Sequence, residues 1–220
     1  MADGRASRWA GQREKRRAEV VAAALAAIAE HGPWVSTEQV AERAGISRPQ
    51  LYRHFADADD LHDAVAHRVA EMFAAAMLPF LTAPSGSPRE IITRVVDAFV
   101  AWLVAHSPLY DYLVVRAVGV VPGRRGPAAD VRLGIAGALR ELFVAHAPAG
   151  VDLRYADSLA FAVAGMVESA TARWLAAPHG LDRAELVARL SSWVWALIED
   201  FVRHGGAELD PDLPLSNPPA

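Results

Sequence analysis

Apolar residues recur every three or four positions along most of this chain, and the strict alternation typical of a half-buried strand is nearly absent. Long stretches are rich in alanine, leucine, glutamate and arginine, which all favour helices. With 220 residues, 53% of them hydrophobic, the chain is long enough to bury a substantial core. The sequence therefore predicts an all-α fold of about nine helices.

Capping signals and helix breakers set the expected helix ends. Ser36 and Gln39 have the spacing of a capping box, Ser47 can cap the next helix with Pro49 in its first turn, and Gly45 separates the two helices. The predicted helices span residues 12–31, 36–43, 47–55, 57–81, 88–106, 108–118, 128–147, 153–177 and 182–204. The proline-rich residues 205–220 are expected to form a disordered tail.

Charge is distributed unevenly along the chain. Residues 1–55 carry nine basic and six acidic side chains, whereas the rest of the chain carries 13 basic and 20 acidic ones. A basic N-terminal region on an acidic body indicates that only the N-terminal region binds a polyanion.

Several classes of protein are disfavoured. The chain has no cysteine, which excludes disulfides, thiolate metal sites and cysteine nucleophiles and fits a reducing cytoplasm. The longest uncharged apolar runs, residues 20–29 and 72–81, are far shorter than the ~20 residues of a membrane span. Asp59, Asp63 and His67 recur at metal-ligand spacing, but solvent-facing charge is the better interpretation because no second helix offers a further ligand. We therefore expect no membrane segment, no metal, no cofactor and no enzymatic activity.

Residues 36–43 and 47–55 are joined by the three-residue turn Ala44-Gly45-Ile46, in which glycine can adopt the left-handed conformation. This arrangement predicts a helix-turn-helix, whose second helix can enter the major groove of DNA. The alternative is a helical hairpin that only packs, and the surrounding basic charge disfavours it.

The run VAERAGISRPQLYRHF, residues 40–55, resembles the DNA-binding signature of the TetR-type (tetracycline-repressor-like) transcriptional regulators. The resemblance covers about residues 12–65, and the remaining helices agree in length and number only. It implies a three-helix DNA-binding domain with a basic arm over residues 1–57 and a larger effector-binding and dimerisation domain over residues 58–204. It also implies a homodimer that binds a palindromic operator, usually as a repressor that a small ligand releases.

The resemblance assigns DNA contacts by matched position. It implies phosphate contacts for Thr37, Ser47, Tyr52 and His54, and base contacts for Arg48, Pro49 and Gln50. The chemistry agrees, because arginine can donate two bonds to guanine, glutamine can bond adenine, and proline can touch a thymine methyl group.

One position departs from the family. Where the family commonly has a lysine that contacts phosphate, this chain has Ala58 within an acidic run. Arg53 and an N-terminal arginine arm are expected to compensate, as arginine arms do elsewhere in the minor groove or along the backbone. The arm consists of Arg5, Arg8, Arg13, Arg16 and Arg17. The alternative is that the arm is a solvated tail.

The larger domain carries many large apolar side chains, for which core packing is the ordinary explanation. The resemblance implies that some of them line a cavity for an apolar or amphipathic effector. The expected lining residues are Phe73, Met77, Phe99, Trp102, Leu103, His106, Tyr110, Arg116, Phe143, Phe161 and Met166.

The last two predicted helices are apolar on more than one face, and such a helix needs two neighbours. A four-helix bundle formed by two helices from each subunit would supply them. The expected dimer residues are Gly165, Trp174, Leu190, Trp193, Leu197, Ile198 and Phe201. A buried pair within one subunit remains an alternative. A helical scaffolding protein without sequence-specific DNA binding is the alternative for the function as a whole, but it does not explain the helix-turn-helix signature.

Overall fold

The computed structural model describes residues 3–117 and 127–215. Within these ranges all regular secondary structure is helical, which confirms the all-α prediction. The α-helices are α1 (Asp3–His31), α2 (Thr37–Arg43), α3 (Arg48–Leu51), α4 (Ala58–Thr82), α5 (Pro88–Ala105), α6 (Ser107–Ala117), α7 (Pro127–His146), α8 (Ala156–Ala176) and α9 (Arg183–His204). A short 3-10 turn, Leu153–Tyr155, precedes α8.

Reciprocal caps begin several of the helices. The Ser36 hydroxyl accepts a bond from the Gln39 amide at 3.2 Å, and the Gln39 side chain accepts one from the Ser36 amide at 2.8 Å. Each cap satisfies amide groups that the first turn of a helix leaves without a partner. The same arrangement occurs at the pairs Ser47 and Gln50, Ser87 and Glu90, and Asp182 and Glu185.

Two helix ends differ from the sequence prediction. α1 begins at Asp3 rather than near residue 12, because alanine and arginine favour a helix enough to carry it through Gly11. α3 ends at Leu51 rather than at Phe55. Two hydrogen bonds at its end join residues three apart, as in a 3-10 helix, instead of four apart. The Arg53 amide donates to the Gln50 carbonyl, and the His54 amide donates to the Leu51 carbonyl.

The chain divides into two compact units, Met1–Met72 with His106–Asp130 and Phe73–Ala105 with Val131–Ala220. We call them the N-terminal unit and the C-terminal unit. This division differs from the predicted boundary at residue 57, because α6 packs on α1 and therefore joins the N-terminal unit. A hydrogen bond of 2.6 Å joins α4 to α6, between His62 Nδ1 and the hydroxyl of the fully buried Tyr112.

The core of the C-terminal unit lies among α5, α8 and α9, which pack on one another. Val100 of α5, Ala160 of α8 and Leu190 of α9 are completely buried there. The assignment of Leu190 to the dimer interface is therefore wrong. Its position on the helix directs it into the core of its own subunit, where it packs with the apolar residues of α5 and α8.

The Ser191 hydroxyl is buried in α9 and has no hydrogen-bond partner among the described residues. A buried hydroxyl without a partner loses its hydration and gains nothing in return. We expect Ser191→Ala to raise the free energy of unfolding by about 1 kcal/mol, measured by urea denaturation. Ser192→Ala, which changes the exposed neighbour in the same way, should leave stability unchanged. A loss of stability in Ser191→Ala alone would contradict this expectation.

The chain beyond α9 is held against the start of α5. The Arg89 amide donates to the Pro211 carbonyl at 3.0 Å, the Arg89 side chain pairs with Asp212 at 2.8 Å, and the Leu215 amide donates to the Gly86 carbonyl at 3.1 Å. The predicted disordered tail is therefore wrong for residues 205–215, because its backbone finds partners on α5. Residues 216–220 lie outside the described residues.

α4 is long and apolar enough to cross a membrane by length and composition alone. Its apolar face is buried within the protein, as Leu61, Val65 and Val69 show, each of them at most 1% exposed. A helix that is buried in the core of a protein outside the membrane meets the same criteria of length and composition.

Candidate nucleic-acid interface

α2 and α3 form a helix-turn-helix whose turn is closed by local bonds. Gly45 has a φ of +65°, the left-handed conformation that other residues adopt at a cost. The Ile46 amide then donates to the Ala41 carbonyl at 3.0 Å. Val40 of α2 and Leu51 of α3 are at most 1% exposed, so the two helices are held together by a shared core.

The surface of α3 that faces away from this core is formed by residues that the sequence predicted as DNA contacts. Ser47, Arg48, Pro49, Gln50 and Arg53 are exposed. Tyr52 and His54, at the end of the helix, are half-buried. The start of α3 therefore presents exposed polar side chains to a partner.

Arg48 is held by a carboxylate of α2. Its Nη1 lies 2.7 Å from Glu38 Oε1, and its guanidinium lies 5.7 Å from the centre of the Tyr52 ring. Glu38 also accepts a bond of 3.2 Å from the Thr37 hydroxyl. The backbone amide of Glu38 and then the charge of Arg48 lower the pKa of this carboxyl below its usual range, so it is charged at neutral pH.

Two predicted contacts have their polar atoms engaged within the motif. The side-chain carbonyl of Gln50 accepts bonds from the Ser47 amide at 2.8 Å and from the Ser47 hydroxyl at 3.1 Å. A bidentate contact with adenine would require that oxygen to leave the cap. Thr37 is only 9% exposed and its hydroxyl bonds to Glu38, which leaves little of it for a phosphate.

Arg17 of the predicted arm is part of a cluster at the junction of α1, α3 and α4. Its guanidinium makes two bonds to the Asp60 carboxylate, at 2.9 and 3.0 Å, and one to the His54 carbonyl at 2.6 Å. It also lies 4.2 Å from the centre of the Phe55 ring. Three partners within the N-terminal unit therefore engage the guanidinium, and its role as a DNA contact stays a prediction.

Asp60 also accepts a hydrogen bond of 2.9 Å from the Ala56 amide. Its bonds from Arg17 and then from Ala56 lower the pKa of Asp60 from 3.8 to about 2. In the sequence, Asp60 is one of several acids around the start of α4. No sequence signal identified the pairing, because Arg17 and Asp60 are 43 residues apart.

The other arginines of the arm are more exposed. Arg16 pairs with Glu19 at 2.6 Å on the surface of α1, and its side chain remains 64% exposed. Arg13 is also exposed. The side chains of Arg5 and Arg8 lie outside the described residues.

The predicted effector-pocket residues fall into both units. In the C-terminal unit, Phe73 makes edge-to-face contacts with Phe99 and Trp102, at centroid distances of 5.7 and 4.8 Å. The remaining members of that unit, which are buried or half-buried, are Met77, Leu103, Phe143, Phe161 and Met166. His106 and Tyr110 belong to the N-terminal unit, and the side chain of Arg116 lies outside the described residues.

The predicted dimer residues divide by exposure. Trp193 and Leu197, one turn apart on α9, are 47% and 37% exposed, and Ile198 and Phe201 are half-buried beside them. Trp174 of α8 is half-buried and donates its indole N–H to the Leu181 carbonyl at 2.9 Å. A Cβ atom added to Gly165 would meet no atom within 4 Å, so this part of α8 is open.

The acidic residues of α4 do not assemble into a metal site. His67 lies 3.6 Å from Glu71 on the same helix. Over residues 3–117 and 127–215 there is no group of three or more histidine or carboxylate side chains that could hold a metal ion.

Comparison with known proteins agrees with this geometry. Residues 20–65 match the family described as bacterial regulatory proteins, tetR family. An uncharacterised HTH-type transcriptional regulator of Mycobacterium tuberculosis is 26% identical over 209 residues, which cover 93% of this chain and 86% of that protein.

Solved structures share the fold over most of the chain. A tetR-family transcriptional regulator from Streptomyces coelicolor superposes with a TM-score of 0.68 at 21% identity, covering 90% of this chain and 91% of that one. The regulator FadR from Bacillus subtilis, solved in complex with stearoyl-CoA, superposes with a TM-score of 0.56 at 16% identity, covering 82% and 96%. The family match confirms the resemblance of residues 40–55, and the solved structures confirm the fold. The matched family consists of DNA-binding regulators that are not enzymes. Residues 20–65 therefore carry the helix-turn-helix region that is described by the tetR family of bacterial regulatory proteins.

Proposed function

We propose that this protein is a tetR-family transcriptional regulator, a cytoplasmic homodimer that binds a palindromic operator as a repressor and is released by a small apolar or amphipathic effector. The observation that carries the proposal is the exposed start of α3, where Ser47, Arg48 and Gln50 stand on a helix fixed by a buried core. A rigid helix with exposed arginine and polar side chains suits the major groove, where base edges offer hydrogen-bond partners.

The experiment that tests operator binding is a fluorescence-anisotropy titration of the full chain against DNA flanking its own coding region, with scrambled duplex as competitor. Binding that is selective, steep in salt and saturates at two protomers per site, or a multiple of two, supports the proposal. A random-sequence selection then covers operators located elsewhere. Absence of any enriched sequence in that selection would refute operator binding and leave a helical scaffolding role.

We expect Trp193 and Leu197, the exposed apolar residues of α9, to become buried in the dimer interface. Leu197→Glu should weaken dimerisation at least about tenfold, because it places a charge where apolar surface becomes buried. Sedimentation velocity over a concentration series measures this. The matched control is Leu133→Glu on α7, since Leu133 and Leu197 are 38% and 37% exposed. Equal sedimentation of the two variants would place the dimer interface elsewhere.

The effector class follows from the apolar character of the C-terminal unit. Phe73, Phe99 and Trp102 form an aromatic cluster there, and apolar pockets with few polar groups favour apolar or amphipathic ligands. The stearoyl-CoA bound by the neighbour from Bacillus subtilis makes a long-chain acyl-CoA the first probe. Such a ligand lowers operator affinity only by its differential affinity for the two states of the protein. A probe that binds tightly and leaves operator affinity unchanged would contradict effector release by that class.

A further inference from the structure

Glu38 is an exposed acid of α2 that contacts Arg48 of α3. One oxygen of its carboxylate is 2.7 Å from Arg48 Nη1, and the other accepts the Thr37 hydroxyl at 3.2 Å. Its side chain is 57% exposed, on the same motif that presents Arg48 to a partner. A carboxylate on a surface that approaches phosphates lowers the affinity for every DNA sequence. Glu38 therefore lowers the affinity for DNA unless it contributes to binding in another way.

The ion pair restricts Arg48. A free arginine side chain samples many rotamers, and ordering it on binding costs conformational entropy. Glu38 uses Nη1, and the guanidinium has five N–H donors in all. The Tyr52 side chain also engages the guanidinium, and the donors that are left suffice in number for the two parallel bonds that guanine O6 and N7 accept. Arg48 can therefore keep its ion pair and contact guanine at the same time.

We propose that Glu38 is a specificity-determining residue that positions Arg48 for guanine and raises the cost of every other base at that place. The proposal rests on the proposed function, since it assumes that Arg48 reaches a base edge. At guanine, the two new bonds offset the desolvation of the carboxylate beside the phosphates. At another base, Arg48 gains at most one of those bonds, while the repulsion between Glu38 and the phosphates is unchanged.

The structure also contains a matched control for charge. Glu42 lies one turn further along α2 and is exposed, and among the described residues it has no ion-pair partner. Glu42→Gln removes the same charge from the same helix as Glu38→Gln. A difference between the two variants therefore reports the contact with Arg48 rather than the general repulsion of DNA.

The test is a selection from a random-sequence duplex library with the full-length wild type, Glu38→Gln, Glu42→Gln, Arg48→Ala and the double variant Glu38→Gln with Arg48→Ala. Each selected pool is sequenced, and the enriched duplexes and their single-base variants are titrated. Thermal unfolding of every variant verifies that it folds as the wild type does.

We expect Glu38→Gln to bind all duplexes more tightly than the wild type and to lose about tenfold of the preference for guanine at one position of each half-site. Glu42→Gln should also bind more tightly but keep that preference. In the Arg48→Ala background, Glu38→Gln should leave base preference unchanged, because Glu38 acts through Arg48.

Several outcomes would overturn the inference, and they separate it from the proposed function. If the wild type enriches an operator but Glu38→Gln keeps the same preference as Glu42→Gln, Glu38 contributes only charge. If Glu38→Gln changes base preference in the Arg48→Ala background, Glu38 contacts a base directly and does not position Arg48. If the wild type enriches no sequence, the proposed function fails and the inference fails with it.

Discussion

We expect Asp60→Ala to lower the free energy of unfolding by about 2 kcal/mol. The substitution removes both bonds to Arg17 and the bond from the Ala56 amide, and it leaves the Arg17 guanidinium without its main counter-charge. Hydrogen bonds to charged groups contribute roughly 1.5–3 kcal/mol each, and the total is reduced here because the Asp60 side chain is 35% exposed to solvent. Guanidinium denaturation followed by circular dichroism measures the change.

The matched control is Asp59→Ala, which removes an exposed acid from the same first turn of α4. It should change stability by less than about 0.5 kcal/mol. Arg17→Ala should be about as damaging as Asp60→Ala, and the double variant less damaging than the sum of the two. Strict additivity of the two substitutions would show that the ion pair contributes nothing of its own.

The contribution of Asp60 also depends on pH. Its pKa is lowered from 3.8 to about 2 in the folded protein, so the folded state favours the charged carboxylate. The stabilisation is therefore complete above pH ~4 and is lost as the pH falls toward about 2. The difference in unfolding free energy between the wild type and Asp60→Ala should shrink over that interval and stay constant above it.

Arg48→Ala should lower the affinity for the operator by about 1–3 kcal/mol, which is between about fivefold and about 150-fold. The loss should fall on one base position, so that duplexes altered there bind the variant as well as the operator does. The measurement is competition anisotropy with the operator and its single-base variants.

The control for Arg48 is Arg16→Ala on α1, where Arg16 is exposed and pairs with the surface acid Glu19. Removing an arginine that contacts phosphate should lower the affinity for all DNA sequences alike. It should also reduce the slope of log K against log salt concentration by about one. If Arg48→Ala lost equal affinity on operator and scrambled DNA, Arg48 would be a phosphate contact and not a base contact.

The part of the fold that depends on local signals was predictable from sequence. Ser36 with Gln39, Gly45 and Ser47 each act within a few residues, and the structure has the cap or turn that each of them predicts. The spacing of Ser47 and Gln50 is the same as that of Ser36 and Gln39. That spacing was a signal that the side-chain carbonyl of Gln50 would cap α3, and the interpretation of Gln50 as a base contact did not use it.

The contacts between distant parts of the chain were not predictable in this way. The pairing of Arg17 with Asp60 depends on how three helices pack, and any exposed arginine of α1 would have the same local sequence signal. Leu190 shares its apolar character with Trp193 and Leu197, and only the packing of α9 on α5 and α8 decides which of them is buried. Hydrophobic pattern gives the faces of a helix, whereas the partner of each face comes from the tertiary structure.

The C-terminal segment, residues 205–215, is hydrogen-bonded to the start of α5 and so affects how the C-terminal unit opens. The Arg89 amide lies in the first turn of α5, and its acceptor is the Pro211 carbonyl rather than a residue of its own helix. That amide can exchange its hydrogen with solvent only when the C-terminal segment detaches. The start of α5 and the C-terminal segment, although far apart in sequence, should therefore open as one cooperative element, with a shared free energy of opening below that of global unfolding.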